Sequence, residues 1–138
     1  MDGTNMARVK IDALRKNYGS AQVIHDIDLD VRDKENFDAV MAAFGEKTGG
    51  RLDVMFNNAG IAIGGNFDAL PFDKIMDTVN INLVGVLIGT YAAIPLLKET
   101  DNSLCFSTSS SSATFGSPGM ATYAATKFAV KGLTEALS

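Results

Sequence analysis

The chain has 138 residues, of which 46% are hydrophobic and 20% charged, and a formal net charge of −4. That composition describes one globular domain and excludes a disordered tail. The acidic balance, without any cluster of Lys and Arg, argues against nucleic acid or an anionic membrane as partner, and the single cysteine, Cys105, excludes an intrachain disulfide.

The first residues, "MDGTNMARVK", lack the apolar core of a signal peptide, so a soluble, cytoplasmic protein is expected. Residues 5–17 put Met6, Val9, Ala13 and Leu14 near one face and predict a helix. "AQVIHDIDLDV" (21–31) alternates through Val23, Ile27, Leu29 and Val31 and predicts a strand, with His25 as a surface residue of it. Residues 34–47 carry Phe37, Val40, Met41 and Phe44 at helical spacing, and Gly49-Gly50 closes that helix. "RLDVMFNNAG" (51–60) is a short β-rich run ending in a turn signal. Pro71 suits a first helical turn and opens a long apolar helix over 71–98, buried on more than one side. Its apolar stretch from Leu83 to Leu97 falls short of the ~20 residues that a membrane span needs. "SLCFSTSS" (103–110) predicts a third strand with Cys105 as a small core residue, and 120–137 a final helix.

The order α-β-α-β-α-β-α predicts an α/β fold with a doubly wound parallel sheet, its strands joined by right-handed crossovers. Ligands of such sheets bind beyond the carboxyl ends of the strands. Asp30, the "NNAG" of 57–60 and the serine run "STSSSSAT" all fall at such ends.

Tyr123 and Lys127 stand four apart on the last helix, so their side chains share a face, with Cβ atoms about 5–6 Å apart. A free phenol has a pKa near ~10 and carries protons poorly at neutral pH. A lysine cation about 5 Å away, at an effective dielectric near 20, favours the phenolate by roughly 3 kcal/mol. That is about two pKa units, enough to bring the phenol toward the range where general acid–base catalysis works best. A Tyr-x-x-x-Lys pair also decorates many solvated helix faces, so the spacing alone does not define a site. Ser109 and Ser110 follow a strand, and Ser110 can donate a hydrogen bond to a substrate carbonyl or alkoxide. "NNAG" (Asn57 to Gly60) leaves room for a flat ligand, although a plain strand-to-helix turn uses the same residues.

Taken together and in order, these motifs resemble a classical short-chain dehydrogenase/reductase over essentially the whole chain. "NNAG" matches the motif after the family's fourth strand, and "INLVGV" supplies the N-x-x-G of Asn82 to Gly85. Ser110 stands thirteen residues before the tyrosine of Y-x-x-x-K, and "GSPG" precedes that tyrosine. The resemblance implies that Tyr123 is the proton donor or acceptor. It implies that Lys127 lowers the tyrosine's pKa and holds the nicotinamide ribose. Ser110 would orient the substrate oxygen, with Ser109 as the competing assignment. Asn82 would hold a water that links Lys127 to solvent, with Asn80 as its competitor. Asp30 and Val31 would contact the adenine ring, and Asn57, Ala59 and Gly60 would line the cofactor's ribose and diphosphate side. The cofactor would be NAD or NADP, with Asp2 leaning toward NAD, and the substrate a small alcohol or carbonyl compound. The implied assembly is a homodimer or homotetramer through helices 71–98 and 120–137.

The family's glycine-rich phosphate turn finds no match in "MDGTNMARVKIDALRKNYG", and its substrate-binding region after the Y-x-x-x-K helix is not in the chain. The expectation is therefore one partial NAD(P)-binding Rossmann domain over 1–138, incomplete at both ends and carrying the catalytic centre. A chain of this kind acts as an oxidoreductase or persists as an inactive binding or dimerisation module. A serine hydrolase is excluded, since the only histidine is far from the serines and no G-x-S-x-G elbow occurs. A metal site fails for want of Cys and His ligands.

Overall fold

The computed structural model describes the backbone of residues 10–18 and 21–138 and the side chains from Leu29 onward. Asp2, Met6 and Val9 lie outside the described residues, as does the side chain of His25. The chain runs β1 (Lys10–Tyr18), β2 (Ala21–Asp30), α1 (Lys34–Thr48), β3 (Val54–Asn57), α2 (Phe72–Val79), a π turn (Asn80–Val84), α3 (Gly85–Lys98), β4 (Leu104–Ser107), a 3₁₀ turn (Ser111–Ala113) and α4 (Ala121–Leu137).

The α/β class is as expected, but the first element differs. Where the spacing of 5–17 predicts a helix, the described part is strand β1, antiparallel to β2 from Lys10 opposite Asp30 to Tyr18 opposite Ala21. The reason is partnership: an adjacent strand satisfies the backbone groups of 10–18, and tertiary pairing overrides a short and weak helical pattern. Among the described residues the strands pair as two two-stranded sheets, β1-β2 and β3-β4, the second being the small parallel sheet of the expected partial fold. Only β3 and β4 are parallel, with Val54 beside Leu104 and Asn57 beside Ser107.

Local chemistry explains the helix ends. Asp33 caps α1 by accepting a hydrogen bond from Asn36 N at 3.0 Å, satisfying one of the orphan amides of the first turn. Gly49 ends α1 at φ 67°, a left-handed conformation that other residues adopt only with strain. The apolar run 72–98 is one helical rod interrupted by the π turn, and it passes the length and hydropathy test for a membrane span. Its buried stripe (Gly85, Val86, Gly89, Thr90, Ala93, Leu97) is that of a core helix lying on the sheet.

Period-two alternation sorts the β3–β4 side chains. Met55, Asn57, Cys105 and Ser107 turn toward α3, and Leu52, Ala93 and Leu97 form the centre of the core with Met41, Met55, Leu96 and Cys105 packed on it. Cys105 is therefore a core residue, as expected. Val54, Phe56, Leu104 and Phe106 point the other way and stay half-exposed, with the two phenyl rings 5.0 Å apart at 58°. Among the described residues, helices cover one face of this sheet only.

Gly89 sets how closely α3 approaches β3. A Cβ there would collide with Asn57 Oδ1 and come within 2.9 Å of Met55 Cε. Gly89→Ala should therefore destabilise the chain by about 1–3 kcal/mol through overpacking, although alanine raises helix propensity by about 1 kcal/mol. A lowered urea midpoint with an unchanged m-value checks this; an unchanged or raised midpoint refutes the close packing.

Candidate active site at the tips of the parallel strands

Three chain segments meet beyond the carboxyl ends of β3 and β4. The first is the turn after β3, the second the π turn, and the third the opening turns of α4. Asn82 joins them. Its side chain is fully buried. Its Oδ1 accepts from Ile61 N at 2.8 Å, and its Nδ2 donates to Ile61 O at 2.8 Å and to Thr126 Oγ1 at 3.3 Å. Both amide protons are spent inside the protein, so the water expected of Asn82 has no N–H left to accept from. Asn80, its competitor, is half-buried, and its backbone carbonyl accepts from Gly85 N across the π turn.

Tyr123 and Lys127 do share a face of α4. Lys127 Nζ lies 5.7 Å from the centroid of the Tyr123 ring. The lysine is 4% exposed and donates to Thr108 O at 2.9 Å, just beyond β4. This bond fastens α4 to the serine-bearing strand tip. Among the described residues no carboxylate pairs with the buried ammonium, and a buried cation without a counter-charge is costly to keep in a purely structural role. Gly60 stands against the same group: a Cβ there would lie 3.3 Å from Asn82 Oδ1 and 3.7 Å from Lys127 Nζ.

The serine run is ordered by local bonds. Ser110 Oγ accepts from Ser112 N at 3.1 Å and caps the 3₁₀ turn, which packs on α4. A hydroxyl that accepts there keeps its own proton to donate. Ser109 is exposed. Thr108 Oγ1 donates to Asn58 Oδ1 at 2.7 Å and so joins the tips of β4 and β3.

Asn57 lines a cleft, with its amide nitrogen turned inward. Its amide is buried and donates to Thr90 Oγ1 at 3.0 Å and toward Ser107 Oγ at 3.4 Å, inside the α3–sheet interface. The cleft, of about 390 Å³, opens between the tips of β2 and β3, walled by Leu29, Val31, Met55, Ala59, Ile81 and Val86. The site thus divides: Val31, Asn57 and Ala59 border the cleft, whereas Gly60, Asn82, Tyr123 and Lys127 gather at the other end.

Asp30 ends β2 and lines a separate hollow with Arg32, Asp73 and Asp77. Its Oδ1 accepts from Arg32 N at 3.1 Å and Arg32 Nε at 3.2 Å, and its Oδ2 from Arg32 Nη2 at 3.3 Å. The bond to Asp30 holds the Arg32 guanidinium above its already high pKa, against the opposing cost of burial, with help from the charges of Asp30 and Asp77. Sequence reasoning passed over Arg32, Asp77, Thr108, Thr126 and Ile61. Only Thr126 had a readable signal: it lies inside Y-x-x-x-K, beside the lysine.

The profile of the short chain dehydrogenase family matches residues 4–138. A trans-4-hydroxycyclohexanecarboxylate dehydrogenase of Sinomonas cyclohexanicum is 38% identical over 109 residues, covering 79% of this chain and 41% of that protein. A short chain dehydrogenase from Burkholderia cenocepacia, solved with NADP, superposes with a TM-score of 0.70 at 34% identity, over 78% of this chain and 43% of that one. A short chain dehydrogenase/reductase from Burkholderia phymatum, solved with NAD, gives a TM-score of 0.73 at 29% identity over 78% and 38%. The chain spans about half or less of the length of the relatives it matches.

Asn82→Ala should cost about 2–4 kcal/mol, because it strands two buried backbone groups of Ile61 as well as losing its own bonds. Urea unfolding measures the loss, and amide exchange at Ile61 should accelerate in parallel; unchanged protection of that amide would refute the clamp.

Proposed function

The chain belongs to the short-chain dehydrogenase family, and we propose that it carries the catalytic centre of an NAD(P)-dependent oxidoreductase interconverting an alcohol and a ketone or aldehyde. The observation that supports this most is the buried Lys127 ammonium, held beside Tyr123 and against the strand tip without a carboxylate partner among the described residues. A cation so placed stabilises negative charge on a neighbouring oxygen. Tyr123 is then the group that gives or takes the substrate's hydroxyl proton. Ser110, with its hydroxyl proton free to donate, orients the substrate oxygen, and Ser109 remains its competitor.

The residues of the cleft suit the cofactor's adenosine half. A flat ring fits between apolar walls at Val31 and Ala59, and the Asp30 carboxylate borders a separate polar hollow. Gly60 leaves the path from cleft to Lys127 without a side chain. When bound, the nicotinamide supplies or accepts the hydride. Lys127 would hold the adjacent ribose. Asn82 acts through its clamp on Ile61, fixing where Gly60 and Lys127 stand; a relay water would need the second lone pair of Oδ1 or a backbone group. Similar structures carry NAD or NADP, and an acid at Asp2 leans the choice toward NAD.

The substrate is a small alcohol or carbonyl compound, and the hydroxylated cyclohexane ring in a relative's name makes alicyclic secondary alcohols the first to assay. We read the protein as soluble and cytoplasmic. A groove of about 370 Å³ between α3 and α4, lined by Leu87, Ile88, Tyr91, Ile94, Leu133 and Leu137, favours self-association through these helices into a homodimer or homotetramer.

Fluorescence titration with NADH should show saturable binding that Tyr123→Phe leaves within about twofold, while the same change lowers turnover of an alicyclic alcohol by about a hundredfold or more. Turnover near wild type in that variant would end the acid–base assignment. Binding without any turnover would favour the inactive-module alternative. Separately, sedimentation of the chain at micromolar concentration should show an oligomer that Ile88→Glu converts to monomer; a monomeric wild type removes the interface.

A further inference from the structure

Thr126 sits between the Asn82 clamp and the tyrosine of α4, and it is 2% exposed. Its Oγ1 lies 3.3 Å from Asn82 Nδ2 and 2.7 Å from the backbone oxygen of Tyr123. The partners fix where its proton goes. An amide nitrogen only donates and a carbonyl oxygen only accepts, so Thr126 accepts from Asn82 and spends its single hydroxyl proton on Tyr123 O. Ile61 N donates to Asn82 Oδ1 at 2.8 Å. The bonds therefore run one way, from the turn after β3, through the carboxamide and the hydroxyl, to the carbonyl of Tyr123. Bonds aligned head to tail polarise one another, and in a dry interior each is costly to break.

The carbonyl at the end of this chain of bonds is a particular one. In an α-helix the carbonyl of residue i takes the amide of residue i+4, which for Tyr123 is Lys127. The Thr126 hydroxyl thus acts on the peptide group that links the tyrosine to the lysine along the helix. A hydroxyl that bonds back to its own helix often bends it locally, and here Asn82 holds that hydroxyl from outside α4. The helix face does not supply such a tie by itself. One turn earlier, the Thr122 hydroxyl is buried and has no partner among the described residues. We propose that Thr126 is a positioning residue, which carries the Asn82 clamp to the backbone of Tyr123 and so sets where the phenol stands for proton transfer. The inference rests on the reading of Tyr123 as the acid–base group. Thr126 acts through Tyr123 and touches no reacting atom.

The test removes the hydroxyl and keeps the shape of the side chain. Thr126→Val should lower kcat for an alicyclic alcohol by about tenfold, as a small misplacement of a reacting group does. KM and the NADH dissociation constant should stay within about twofold, since no ligand contact is lost. Thr126→Ser keeps the hydroxyl and should hold kcat within about twofold of the wild type. Thr122→Val makes the same change one turn away, deletes an unpaired hydroxyl, and should also leave kcat within about twofold. Without cofactor, the NMR shift of the Tyr123 ring carbon that bears the hydroxyl should move in Thr126→Val and stay in place in the other two variants. A merely structural Thr126 would lower the urea midpoint and leave both kcat and this resonance near wild type, and that result overturns the proposal. An equal loss of kcat in Thr126→Ser or Thr122→Val overturns it too, while leaving the oxidoreductase reading intact. A wild type that turns over no alcohol or carbonyl compound sinks that reading and the proposal with it. Should Thr126→Val not fold, the unmutated chain still decides: the Thr126 hydroxyl proton should give a resonance protected from exchange with water, and a fast-exchanging hydroxyl refutes the chain of bonds.

Discussion

One buried carboxamide holds the site together. Asn82 has a donor and an acceptor side, and it uses them to pair with both backbone groups of Ile61 as a neighbouring strand would. Its second donor reaches Thr126 on α4. The turn after β3, the long helical rod and the tyrosine-bearing helix therefore share one fixed point. Because the point is dry, each of these bonds is costly to leave unmade. The position of Gly60 beside Lys127, and of α4 against the strand tips, follows from it.

The π turn makes this clamp compatible with a long helix. A residue added to one turn lets the rod change phase, and such bulges are common at functional sites. Before it, α2 presents Asp77 to Arg32; after it, α3 presents Gly85 to Val31 and Gly89 to Asn57. One rod thereby contacts the tip of β2, the tip of β3 and, through Asn82, the start of α4. The ion pairs of Arg32 lie at the tip of β2, and the tyrosine end is tied by the amide of Asn82 and by the Lys127 bond to Thr108 O. A charged strut tolerates a partly wet rim, whereas a buried amide needs no counter-ion.

What the local spacing could express was legible. Tyr123 and Lys127 share a face because i and i+4 must, and the serines follow β4 because the apolar run stops at Phe106. Gly49 reads as a helix stop because its positive φ is a glycine conformation. Residues 10–18 were not legible in the same way. Their weak pattern suits a helix, and only the presence of β2 alongside makes them a strand. Asn57 and Asn82 illustrate a second kind of difficulty. An asparagine in a strand-end motif can face a ligand or the interior with equal chemical sense, and the choice depends on Thr90, Ile61 and Thr126, residues 33, 21 and 44 positions away.

The sequence alone determined the class of fold, the order of most elements and the shared helix face of Tyr123 and Lys127, since each depends on periodicity or on neighbours within one helical turn. Tertiary structure alone decided that Lys127 is buried against Thr108 and that Asn82 spends its amide on Ile61. It also decided that Arg32 links Asp30 to Asp77, and that the strands form two pairs. Those facts concern which distant groups share a dry environment. Burial and long-range pairing are properties of the packed chain, and no local stretch of residues encodes them.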